Sequence, residues 1–159
     1  MSDRETQFMT EALALAEQAA TIGEVPVGCV VVRGDTIVGR GYNRRETDHR
    51  ALAHAEILAI DEACQTLQSW RLCGCDLFVT LEPCPMCAGA IINARLDRVF
   101  FGARDPKAGA LISRIDLFEW GFNHRPEMIG GLFADQSAAM LSGFFSARRA
   151  AAKEPAKEL

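Results

Sequence analysis

Four residues of this chain have types and spacing that could do chemistry: His54, Glu56, Cys84 and Cys87, in "AHAE" and "EPCPMC". Imidazole and thiolate hold metals, and a carboxylate carries protons. One His and two Cys make three ligands, one fewer than a structural zinc site normally uses. A fourth position left open to water is the mark of a catalytic zinc site. A metal there brings water towards ionisation near neutral pH. Glu56 could take that proton and return it to a leaving group. The set therefore fits hydrolytic displacement at an electrophilic carbon. The main rival for the CxxC pair is thiol–disulfide chemistry, which gives no role to His54 or Glu56. Cys29 falls in an apolar run, Cys64 in a helical one, and Cys73 and Cys75 lead into a strand without a neighbouring histidine. These four read as free thiols.

The elements must bring the four residues together. "CPMCAGAIINAR" reads as a helix with Cys84 at its N-cap, Pro85 in the first position and Cys87 in the first turn. The positive end of a helix lowers thiol pKa values and favours the thiolates that bind metal. The segment from Ala53 to about Leu67 reads as another helix, with His54 in its first turn. Residues two apart do not share a helical face. His54 and Glu56 can therefore serve one pocket only at the helix end. Two helix starts, each following a strand, would meet at one edge of a sheet.

Along the rest of the chain, helices alternate with strands. "TQFMTEALALAEQAATIG" predicts a helix with Phe8, Leu13, Ala16 and Ala20 on one face and Gly23 as its stop. "VPVGCVVV" (Val25–Val32) and "TIVGRGYN" predict a hairpin across the turn "RGD". "CDLFVTL" and "RVFFGA" predict two further strands, and "DQSAAMLSGFFSARRAAAKE" a last helix. The Gly- and Pro-interrupted stretch Asp105–Glu127 reads as a long, partly structured loop. The pattern predicts three α/β/α layers in one domain over residues 1–150, followed by a frayed tail at 151–159.

Composition sets the surroundings. The chain of 159 residues, 49% hydrophobic and 24% charged, is an ordinary globular composition for one substantial core. No run approaches the ~20 apolar residues of a membrane span, and the polar start "MSDRETQ" is unlike a signal peptide. A cytoplasmic protein is expected, with six reduced thiols rather than a disulfide framework. The net charge of −4 excludes broad nucleic-acid binding by charge alone but leaves room for a local basic patch. Arg148 and Arg149 close the last helix, where they either cap a solvated end or meet phosphate. Arg44, Arg45, Arg104, Lys107 and Arg125 complete a scattered basic set, and Phe144 and Phe145 are either core or stacking surfaces.

The order H-x-E then P-C-x-x-C resembles the signature of the zinc-dependent nucleoside and nucleotide deaminases. "EVPVGCVVV", "GYNR", "AHAEILAI", "VTLEPCPMCAGAI", "FGARDPKAG", "NHRPE" and "FFSARR" look like the bacterial tRNA adenosine deaminases, from about Phe8 to Arg149. The resemblance implies a cytidine-deaminase-like fold with a mixed sheet of about five strands. It implies one zinc ion on His54, Cys84 and Cys87, with Glu56 as proton shuttle. Asn43 would bond the target base and Val25 line its pocket. The implied reaction turns adenosine into inosine at the wobble position of a tRNA anticodon stem-loop, in a homodimer. Departures from the family pattern fall at Leu111, Ile112, Trp120, Gln136, Ser137 and Ser146. The nearest alternative keeps the zinc chemistry on a free guanine, cytosine or nucleoside. A non-catalytic zinc or redox protein is the alternative of another class.

Overall fold

The computed structural model describes residues 1–153. Its elements are α1 (Asp3–Thr21), β1 (Gly28–Arg33), β2 (Thr36–Tyr42), α2 (Ala55–Leu67), β3 (Cys75–Leu81), α3 (Pro85–Asn93) and β4 (Arg98–Ala103). A short 3-10 turn (Leu117–Glu119), β5 (Glu127–Ile129) and α4 (Ala134–Ala152) follow. The five strands form one mixed sheet in the order β2-β1-β3-β4-β5. The pairs β1–β2 and β1–β3 are antiparallel, while β3–β4 and β4–β5 are parallel. The expected α/β/α architecture is present.

Two cores sandwich the sheet. On one face Val31, Leu77, Val79 and Phe101 pack with Ala59, Ala63, Ile91 and Ile92 of α2 and α3. On the other, Val30, Val32, Phe78 and Phe100 pack with Phe8, Met9, Ala12 and Leu15 of α1. Successive residues of a strand face opposite sides, so a central strand covered on both faces reads as unbroken apolar sequence. The first six residues of β3 are all buried. At one edge of the sheet, β2 carries Gly39 and Gly41 on the face under α2. A Cβ at either would collide with a carbonyl of α2, that of Ala59 or Ala55 respectively. These two glycines let the helix backbone rest directly on the strand, which fixes where α2 begins.

Several boundaries differ from the sequence reading. β1 starts at Gly28, because Val25-Pro26-Val27 runs outside the ladder and Pro26 has no N–H to pair. α2 starts at Ala55, which makes His54 its N-cap rather than part of the first turn. On α1 the buried face is Phe8, Met9, Ala12, Leu15, Ala16 and Ala19, so the expected Leu13 and Ala20 lie at its margin, half-buried. β5 overlaps the end of the segment read as loop. Three residues between Pro126 and Gly130 are too few to show an alternation. The first part of the expected tail, Ala151 and Ala152, completes α4, and residues 154–159 lie outside the described residues.

Candidate metal centre and its cleft

The directions of the strands gather four chain segments at one edge of the sheet. β2, β3 and β4 end there and β1 begins there. A cleft of about 240 Å³ opens at this edge. Val25 and Val27 come from the approach to β1, Asn43 and Arg45 from the end of β2, and Glu82 and Cys84 from the end of β3. Asp105 and Ala108 follow β4, and the start of α2 supplies His54 and Glu56. Carboxyl ends of parallel strands are where open α/β sheets hold ligands.

His54 is the N-cap of α2 and Cys84 the N-cap of α3, both with extended backbone and neither bonding its own helix through the side chain. Polar N-caps normally satisfy a free N–H of the first turn. Here the side chains point to each other. Cys84 Sγ lies 3.6 Å and Cys87 Sγ 3.5 Å from His54 Nδ1. All three donor atoms fall within 4.8 Å of one another, a group able to hold a metal ion. Cys87 is fully buried, His54 and Cys84 partly so. Among the described residues this is the one such group, and Cys29, Cys64, Cys73 and Cys75 are unpaired thiols outside it.

The protons of this cluster are already arranged. A hydrogen bond from Cys87, seconded by His54, brings Cys84 down to about 4, so it is a thiolate at neutral pH. The same contact, with burial, pushes Cys87 far up, and the Cys84 partner raises His54. Glu56 is only 5% exposed at the bottom of the cleft. Burial pushes its carboxyl up to about 7, with the Cys84 charge adding to the effect. A carboxyl poised there can both accept and give a proton near neutrality.

Asn43 and Val25 lie together, since Asn43 Nδ2 donates to the Val25 carbonyl at 3.3 Å. The Asn43 side-chain oxygen accepts from the Arg45 N–H at 3.2 Å. Arg45 reaches the cleft, but Arg44 does not. It is held elsewhere by Asp48 at 2.9 and 3.0 Å and by the Tyr42 hydroxyl. Arg148 and Arg149 are exposed on α4 and do not line the cleft; Arg148 stacks on Phe144, and Arg149 donates to Ser146 Oγ. Phe145, 40% exposed, is not core. Arg125 is engaged with Glu119. The sequence reading missed Glu82, Asp105 and Ala108 as lining. For Glu82 the one available signal was a carboxylate set in an apolar run beside the CxxC. Bonds from Ser113, Ile112 and Asp105 overcome its burial and hold this carboxyl below its ordinary value.

Comparison with known proteins agrees with this geometry. The family model of the MafB19-like deaminases matches residues 3–149. A protein of Bacillus subtilis (strain 168) named tRNA-specific adenosine deaminase is 47% identical over 153 residues, 96% of this chain and 95% of the relative. The chain belongs to the tRNA-specific adenosine deaminase family. A solved structure from studies of A-to-I editing by tRNA:A34 deaminases matches this family member with a TM-score of 0.83 and 44% identity. That match covers 86% of this chain and 99% of the other. A guanine deaminase structure from Bacillus subtilis matches at a TM-score of 0.62 and 32% identity, over 99% of both chains. The deaminase fold is thus shared more widely than the tRNA-specific family itself.

Proposed function

We propose that this protein deaminates adenosine to inosine at the wobble position of a tRNA anticodon stem-loop, with one zinc ion bound by His54, Cys84 and Cys87. What carries the reading is the 47% identity, along almost the whole of both chains, to a relative named for that activity. The 32% identity to a guanine deaminase supports the rival substrate less. The donor set fits the metal. A tetrahedral zinc with N at about 2.0 Å and S at about 2.3 Å sets N and S ligands roughly 3.5 Å apart. The separations of 3.6 and 3.5 Å agree with that.

Zinc, when bound, supplies the Lewis acidity that lets water ionise near neutral pH. Glu56 takes the proton of the attacking water, which adds to C6 of the adenine. The carboxyl gives that proton to the ring nitrogen and then carries the proton of the new C6 hydroxyl to the departing amine, releasing ammonia and leaving inosine. Asn43 holds the base from the end of β2, and Val25 lines its side. A base flipped out of its loop is needed to enter a space of this size. Arg148 and Arg149 contact phosphates beyond the cleft. A homodimer suits the exposed apolar side chains of Ile112, Trp120 and Phe122. No helix among the described residues is long and apolar enough to cross a membrane. A cytoplasmic setting fits a tRNA substrate and unpaired thiols. Sequencing tRNA after incubation with the purified protein tests the proposal: A-to-G changes confined to the wobble position are expected, and none with Glu56→Ala.

A further inference from the structure

Glu82 is the residue directly before Pro83 and Cys84, and it is 2% exposed. A buried carboxylate needs partners, and this one takes all of them from one loop. One oxygen accepts the backbone N–H groups of Leu111, Ile112 and Ser113 at 3.2, 2.8 and 2.9 Å. The other accepts the Asp105 N–H at 3.1 Å and the Ser113 hydroxyl. All five donors are neutral, so a nest of peptide dipoles balances the charge. Gly109 passes so close that any Cβ there would strike the carboxylate.

The two ends of this arrangement have different tasks. Glu82 belongs to the turn that presents a metal ligand. Its loop, residues 105–113, carries Asp105 and Ala108 on the wall of the same cleft. We propose that Glu82 is a positioning residue, which clamps that wall to the metal-site turn so that base and ligands keep one spacing. This deepens the deaminase reading and rests on it. The clamp grips backbone at Leu111 and Ile112, so it does not depend on which side chains stand there.

Glu82→Gln removes the clamp at one point. The amide keeps its oxygen best towards the three N–H groups of residues 111–113. Its NH2 then faces the Asp105 N–H, donor against donor. Other bonds keep the loop folded, among them Ala110 N–H to the Pro83 carbonyl at 2.8 Å and Glu82 N–H to the Ala103 carbonyl at 2.9 Å. A wall that is only partly in place lowers apparent affinity by its competent fraction, while bound substrate restores it.

The test uses a synthetic anticodon stem-loop with adenosine at the wobble position. Glu82→Gln should raise KM roughly tenfold or more, with kcat within about threefold and metal still near one per chain. The Asp105 amide should exchange its hydrogen faster than in the wild type, while the β3 and β4 amides stay protected. Ser113→Ala should raise KM less, and should add little in the Glu82→Gln background because both act through one contact. An unchanged KM would overturn the proposal, as would a fall in kcat that merely follows metal loss. If the wild type leaves the stem-loop untouched, the deaminase reading has failed. The exchange measurement needs no substrate and still judges the clamp: unchanged Asp105 exchange would sink it.

Discussion

At the scale of single residues, the proposed mechanism separates holding a metal from moving a proton. Cys84→Ser or Cys87→Ser should lower metal content sharply, while Cys64→Ser should not, since Cys64 lies outside the donor cluster. Glu56→Ala should keep metal and fold yet cut turnover by about 10²-fold or more. Assaying metal by atomic absorption beside deamination separates the two roles; metal loss in Glu56→Ala would make that carboxylate a ligand. Metal uptake should also depend on pH in a defined direction. Cys87 and His54 are both raised, so the metal-free cluster carries protons that a metal must displace. Affinity should therefore rise with pH and weaken as pH falls, with protons released on binding, which calorimetry in buffers of different ionisation enthalpy can read. The grouping of His54, Cys84 and Cys87 was legible in the sequence because HxE and CxxC place these donors at helix starts. Glu82 was not, since its role comes from backbone N–H groups some thirty positions away that no spacing rule marks.

At the scale of elements, the start of α2 is set by the strand beneath it. Gly41→Ala would push a Cβ into the Ala55 carbonyl, one residue from His54. A loss of about 1–3 kcal/mol in denaturant unfolding is expected, with weaker metal binding. Gly143→Ala, on an exposed part of α4 with nothing within 4 Å of the added carbon, should instead stabilise by roughly 0.5–1 kcal/mol. Equal effects at the two positions would contradict the packing described. The strands β3 and β4 were readable to the residue, because burial on both faces leaves the apolar runs Leu77–Val79 and Val99–Phe101 at their centres, with clear ends. β5 was not, having three residues and a single partner strand. The face of α1 was misplaced because its buried stripe follows small alanines, which hydrophobicity marks weakly.

At the scale of the whole molecule, the proposed substrate asks an acidic chain to hold a polyanion. With a net charge of −4, binding has to come from local cations, and each phosphate neutralised adds about 0.7 to the log–log salt slope for single strands. Replacing Arg148 and Arg149 by Ala should weaken tRNA deamination and flatten its salt dependence, with metal content unchanged. An unaltered slope would remove α4 from the RNA surface. Asn43→Ala should impair the reaction at every salt concentration, because it faces the cleft rather than the phosphates. The family match and the fold make this chain a deaminase, and the guanine deaminase likeness shows that a fold of this kind also serves another base. Substrate choice is therefore the central claim. One measurement reaches it directly: turnover of an intact anticodon stem-loop bearing wobble adenosine, set beside free guanine, cytosine and adenosine at equal enzyme concentration. The account predicts inosine in the stem-loop and negligible ammonia from the free compounds. Ready turnover of guanine or cytosine with an untouched stem-loop would contradict it.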